Sequence, residues 1–272
     1  MTEPPTAFIP PAVVVGVDGS RAAERASRWA AEEAAGRDLP LHLLAACEGP
    51  ASSGRADSAI RLASAAVVAG GRPVTLTSAV VTGEPAEVLQ AASRTAAMIC
   101  LGAVGLNHFD HPVGSTVNAL AASAHCPLLV VRGSARRERP GWVVAELDET
   151  SESAAVLQAA IEEARLRNAP LRVLGTWQPG TSESPTGEGD RQVRAHLDRR
   201  IEEWRRRYPD LDVEPVAVHG SGLEYLATHG ALIDIVVIGA RNVIAVNELL
   251  GPAGLSALPD TAVLILDRQR LL

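Results

Sequence analysis

No lysine occurs anywhere in these 272 residues; all 25 basic residues are arginine. That absence excludes a Walker A lysine, a Schiff-base lysine and the strand lysine of a protein kinase. P-loop NTPase and pyridoxal-phosphate chemistry are excluded with them. Aromatics make up only 3% of the chain against 47% apolar residues, so the core must be built from Ala, Val, Leu and Ile. Those residues suit parallel strands buried on both faces under alanine-rich helices. No apolar run reaches membrane-spanning length, and Met1 to Pro11 lacks the charged start and apolar core of a signal peptide. A cytoplasmic protein with no membrane partner is expected. A net charge of −7 and a pI near 5.5 leave no basic footprint for nucleic acid. The three cysteines, Cys47, Cys100 and Cys126, lie far apart in apolar contexts without metal-ligand spacing. They read as buried thiols outside any disulfide.

What the chain does contain is an alternation. Ala12 to Val17, Leu39 to Ala46, Pro73 to Val80, Met98 to Leu101 and Pro127 to Val131 read as strands. Between them, Ser20 to Ala35, Ser58 to Ala69, Pro85 to Thr95 and Val117 to Ala124 carry helical spacing, and Glu48 to Asp57 reads as a loop. This order predicts a parallel sheet with helices on both faces. An Arg- and Pro-rich stretch from Gly133 to Gly141 follows, and then the pattern begins again. Asp18 and Asp148, Glu32 and Glu162, and Pro40 and Pro170 are each offset by 130 residues. Gly83 and Gly220, Gly102 and Gly239, and Gly114 and Gly251 are each offset by 137. The chain is a tandem duplication of one α/β unit, with a first domain at 1–135, a linker at 136–141 and a second domain at 142–272.

The most informative stretch runs from the strand Met98 to Leu101 through Gly102 and Gly105 to Gly114-Ser115-Thr116, which opens a helix. Glycines let backbone N–H groups approach a ligand, and a helix start adds unpaired donors with a positive dipole. One reading is an anion cradle at the carboxyl end of a parallel strand; the other is an ordinary connection whose glycines serve its turns. Asp18 is likewise either a ligand-binding carboxylate or a helix cap. In the second copy Asn242 stands for Gly105, Pro252-Ala253 for Ser115-Thr116, and Glu146 for Gly16. Proline lacks an N–H and alanine a hydroxyl, so the first copy keeps the better-formed site.

Other constellations carry less. His108, Asp110 and His111 lack further ligands to complete a metal sphere. His125 and Cys126 are adjacent on a strand and would point to opposite faces. Arg191 to Arg207 interleaves arginines with Asp198, Glu202 and Glu203, the pattern of a solvated helix face.

The chain resembles a tandem universal stress protein of the two-domain kind common in actinobacteria. The residues carrying the resemblance are Val13 to Ser20, the pattern Gly102-x2-Gly105 followed by Gly114-Ser115, and the strand Cys126 to Val131. Eight residues separate Gly105 from Gly114 where the family's ATP-binding pattern has nine, and Asp110 adds negative charge between them. The resemblance implies two Rossmann-like α/β domains (adenine nucleotide alpha hydrolase-like), each a five-stranded mostly parallel sheet, packed as a pseudo-dimer. It implies that the last strands, Pro127 to Val131 and Val263 to Leu266, pair the domains within the chain or between chains of a homodimer. It implies ATP, with magnesium, as ligand. Val17 and Ala46 would line the base pocket, and Asp18 would bond adenine or ribose. Leu101, Gly102, Val104 and Gly105 would wrap the ribose and α-phosphate, and Gly114, Ser115 and Thr116 would hold the β- and γ-phosphates. The expected function is a non-enzymatic, ATP-binding switch or interaction protein in a stress or dormancy response, with protein partners unspecified. The alternative is a nucleotide-free interaction module. No signature of an adenylate-forming or nucleotidyl-transfer enzyme is present.

Overall fold

Among the described residues, short aliphatic runs bounded by Gly, Pro and Asp form ten strands, and the alanine-rich segments between them form the helices. A computed structural model describes residues 11–104, 114–133, 140–147, 153–177 and 188–266. The first half runs β1 (Val13–Gly16), α1 (Arg21–Gly36), β2 (Leu41–Cys47), α2 (Ser53–Ala69), β3 (Leu76–Thr82), α3 (Pro85–Ser93), β4 (Met98–Gly102), α4 (Ser115–Ser123) and β5 (Leu128–Val131). The second runs β6 (Trp142–Leu147), α5 (Ser153–Arg167), β7 (Leu171–Trp177), α6 (Glu188–Arg207), β8 (Val213–His219), α7 (Gly222–His229), β9 (Ile233–Gly239), α8 (Val243–Leu250), α9 (Pro252–Ala257) and β10 (Ala262–Leu266).

All strands join one sheet in the order β3-β2-β1-β4-β5-β10-β9-β6-β7-β8. Neighbours are parallel within each half, and among the described residues the one antiparallel pair is β5 with β10. Val130 stands opposite Val263 and Leu129 opposite Leu264, all fully buried. The last strands therefore pair the two halves within the chain. Burying such aliphatic side chains stabilises the junction by roughly 1.5–3 kcal/mol each.

Helices cover both faces. α1 turns Ala23, Ala26, Ala30 and Ala34 to the sheet, and these small side chains let it pack close. Ser20 caps it, its Oγ accepting the Ala23 N–H at 3.1 Å. α2 begins at Ser53, inside the segment expected to be a loop, because Ala56, Ala59 and Ala63 bury against α1 and the sheet. Tertiary packing, not propensity, sets that start. α4 likewise begins at Ser115 rather than Val117. The three cysteines are buried and unbridged. On α6, Arg205 pairs with Asp198 at 2.8 Å, and Leu197 turns inward.

Where α1 and α5 meet across the junction, two buried carboxylates are held by two arginines, Arg167 nearly buried and Arg37 partly exposed. Glu33 and Arg37 of α1 repeat as Glu163 and Arg167 of α5, at the same 130-residue offset. Arg37 bonds Glu163 at 2.5 Å and Glu33 at 3.2 Å, while Arg167 bonds both Glu33 and Glu163. Both carboxylates are fully buried. Burial, and after it the Glu33 carboxylate, push Glu163 up to about 7 from its ordinary 4.5, against the pull of Arg167 and Arg37. Burial acts on Glu33 too, yet the Arg167 and Arg37 guanidiniums outweigh it and hold that carboxyl below its ordinary range. The two groups are repeats of each other, so the titration belongs to the pair: one carboxylate stays ionised and the first proton enters near 7. The folded pair takes that proton more readily than the unfolded chain. Stability should therefore rise by about 1–3 kcal/mol as pH falls from about 7 toward about 4.5, and fall again below that as the second carboxylate is protonated. Melting temperature should climb as pH falls across this range and peak near about 4.5, and Glu163→Gln should flatten the upper limb.

Candidate functional site

In each half the chain passes from the first strand to a neighbour on one side, then crosses to the other side. In the first half this switch lies between β1 and β4, whose carboxyl ends diverge into helices on opposite faces. Such a crevice is where open α/β sheets bind ligands. Here it opens as a cavity of about 420 Å³.

Eight of the ten expected site residues line it. Val17 and Leu101, both buried, form its floor, with Ala46 beside them at the end of β2. Asp18, Gly102, Gly114, Ser115 and Thr116 line it too. Val104 does not: its side chain packs against the apolar core beneath α3 and α4, because the chain has left the strand by that point. Gly105 lies outside the described residues, as do His108, Asp110 and His111.

Local sequence explains the arrangement. Asp18 accepts the Ser20 N–H at 2.9 Å through Oδ1, which closes the turn that lets Ser20 cap α1. The cap is thus Ser20, and Asp18 stands two residues ahead of it, lining the cavity. Gly114 is the N-cap residue of α4 with no side-chain cap, and its own N–H donates to the Ala103 carbonyl at 3.0 Å. The first-turn donors of α4, with the Ser115 and Thr116 hydroxyls, stand at the cavity wall. A helix start of this kind favours an anion. Gly102 has a structural duty as well. A Cβ there would lie 2.6 Å from the Ala22 carbonyl carbon, so only glycine lets β4 run under the first turn of α1.

Sequence reasoning missed the opposite wall. Cys47, Glu48, Ser52 and Arg55, from the end of β2 and the start of α2, line it, and Glu84 and Val88 join them from α3. The signal was hidden by reading 48–57 as an unstructured loop. Among the described lining residues the carboxylates Asp18, Glu48 and Glu84 face one guanidinium, that of the exposed Arg55.

The second half places different side chains at the equivalent positions. Trp177 and His219 occupy the paired positions that Cys47 and Thr82 hold in the first half, with ring centroids 4.9 Å apart. The indole Nε1–H donates to Asp190 Oδ1 at 2.7 Å. Glu146, at the position of Gly16, brings its carboxylate against Gly222. Asn242, at the position of Gly105, caps α8, its Oδ1 accepting the Ala245 N–H at 3.1 Å. Pro252 then opens α9 where Ser115 opens α4. The buried Arg132 guanidinium bonds the carbonyls of Leu249 and Gly254 and ties this helical pair to the junction. Among the described residues no group of His, Cys, Asp and Glu forms a metal cluster, and no helix is long and apolar enough to cross a membrane.

A doubly wound sheet, duplicated and joined edge to edge, with a crevice at the switch point of one half, defines a tandem Rossmann-like α/β protein. The sequence model of the universal stress protein family matches residues 11–132. The universal stress protein Rv2028c of Mycobacterium tuberculosis is 41% identical over 273 residues, covering 94% of this chain and 95% of that protein. Rv2624c of the same organism is 34% identical, over 89% of this chain and 90% of its own length. A universal stress protein crystal structure from Archaeoglobus fulgidus matches at TM-score 0.68 and 12% identity, covering 94% of this chain and 96% of that one. This chain belongs to the universal stress protein family.

Proposed function

We propose that the first-half crevice binds an adenine nucleotide, ATP with magnesium foremost, and that the protein acts as a non-catalytic switch or interaction protein in a stress response. The observation that carries this reading is the meeting of the α4 N-terminus, with its Ser115 and Thr116 hydroxyls, and Asp18 across one apolar-floored crevice. The base would rest on Val17 and Ala46, with Asp18 bonding adenine or ribose. Gly102 and Leu101 would flank the sugar, and Gly114 to Thr116 would face the phosphates. The division into domains at 1–135 and 142–272, and action in the cytoplasm, belong to the same proposal.

A second reading, a nucleotide-free interaction module, is favoured by the charge of the walls. Asp18, Glu48 and Glu84 against Arg55 repel a polyanion unless magnesium screens it. Calorimetric titration of the whole protein with ATP, AMP and cyclic AMP, with and without Mg²⁺, separates the two. The proposal expects one site per chain. Ser115→Ala with Thr116→Ala should weaken ATP about 10- to 50-fold and adenosine little, since hydrogen bonds to a charged group are worth about 1.5–3 kcal/mol. Asp18→Ala with Gly114→Val should abolish binding. Two sites per chain, or none up to millimolar nucleotide, would overturn it.

A further inference from the structure

Pairing within the chain consumes the β5 and β10 edges, so the ten-stranded sheet ends at β3 on one side and β8 on the other. The two ends are built differently. The Leu171 N–H donates to the Asp212 carbonyl and the Gly220 N–H to the Trp177 carbonyl. With strictly alternating register, the main chain of Val213, Pro215, Ala217 and His219 therefore faces outward. Pro215 stands at an outward position and has no N–H to give, the usual way an edge is blunted.

On β3 the Leu41 N–H donates to the Thr75 carbonyl and the Gly83 N–H to the Cys47 carbonyl. The same alternation turns the N–H and C=O of Leu76, Ser78, Val80 and Thr82 outward. From Val74 to Gly83 this edge carries no proline and no charge. Val80 and Val81 are exposed on it, and α2, which packs against it, exposes Leu62 and Val68.

We propose that β3 is a self-association edge, through which a second copy of this chain adds to the sheet in antiparallel fashion. The outward residues are symmetric about Ala79. A two-fold axis there sets Leu76 opposite the partner's Thr82 and Ser78 opposite the partner's Val80, so each outward N–H meets an outward C=O. Ala79 faces itself across the axis, where a small side chain suits the closer spacing of a non-hydrogen-bonded pair. The same operation carries Arg72 to within two residues of the partner's Glu84 along the strand, so opposite charges approach at each end. It repeats, between chains, the antiparallel edge pairing that β5 and β10 make within one.

Sedimentation velocity of the whole chain at about 1 to 100 µM tests the proposal, with circular dichroism to check folding. The wild type should show a concentration-dependent dimer. Val80→Pro, which removes an outward N–H and leaves the β2 ladder intact, should be monomeric. Ala79→Glu and Ala79→Arg should each be monomeric alone, and their equimolar mixture should dimerise. A wild type that stays monomeric, a dimer that survives Val80→Pro or Ala79→Glu, or a mixture that fails to pair would overturn it.

Discussion

Arg167→Leu is expected to destabilise the protein by about 3–5 kcal/mol, the cost of leaving buried charge uncompensated. Arg167 bonds both Glu33 and Glu163, and each of those carboxylates is fully buried. Its guanidinium also lies 4.8 Å above the Trp29 ring, a contact that leucine keeps only as packing. With the arginine gone, Arg37 alone faces two carboxylates, and one of them must take a proton to stay inside. The loss should therefore be largest at alkaline pH and shrink as pH falls toward about 7. Without the Arg167 guanidinium, which lowers the wild-type value to about 7, the proton enters at a higher pH in the variant. Equilibrium denaturation in urea, followed by circular dichroism at several pH values, reads both effects. Replacing all four charges by methionine or leucine should recover most of the stability, because the desolvation of four ions disappears along with their attraction. A loss below about 1 kcal/mol for the single variant would mean that water reaches the cluster.

Gly102→Ala should cost about 1–3 kcal/mol and abolish nucleotide binding, although it adds only one methyl group. The new Cβ would meet Ala22 at 2.6 Å, and the obstacle is the backbone of the first turn of α1. That turn is held by Ser20 and by the Asp18 carboxylate, so pushing it outward moves the crevice wall as well as the core. Gly54 provides the control. It lies within α2 with nothing within 4 Å of a Cβ, so Gly54→Ala should stabilise by about 0.5–1 kcal/mol through backbone entropy. Thermal melts of both variants, beside ATP titrations, check the pair. Equal behaviour of the two glycines would remove the argument that Gly102 is demanded by close packing.

The sequence by itself determined the fold class, the duplication and most of one wall of the crevice. Local patterns were enough, because aliphatic runs, alanine periodicity and punctuating glycines each act over a few residues. The constant offsets made the second half legible from the first. The absence of lysine closed off whole classes of chemistry. Tertiary structure decided everything that depends on what lies across a gap. Glu33 and Glu163 read as ordinary members of Glu-Glu-Ala segments, and only the meeting of α1 with α5 makes them part of a charged quartet. Whether the last strands pair within or between chains was open in the sequence, since Leu128 to Val131 suits either partner equally; the short distance to β10 decides it. The Glu48 to Arg55 wall was hidden because helix α2 starts where packing of Ala56 allows. Val104, two residues past the end of β4, is partly buried against the aliphatic core and does not line the crevice. The packing of Trp177 against His219 and Gly189 in the second half is likewise a three-dimensional fact, since these residues come from separate elements.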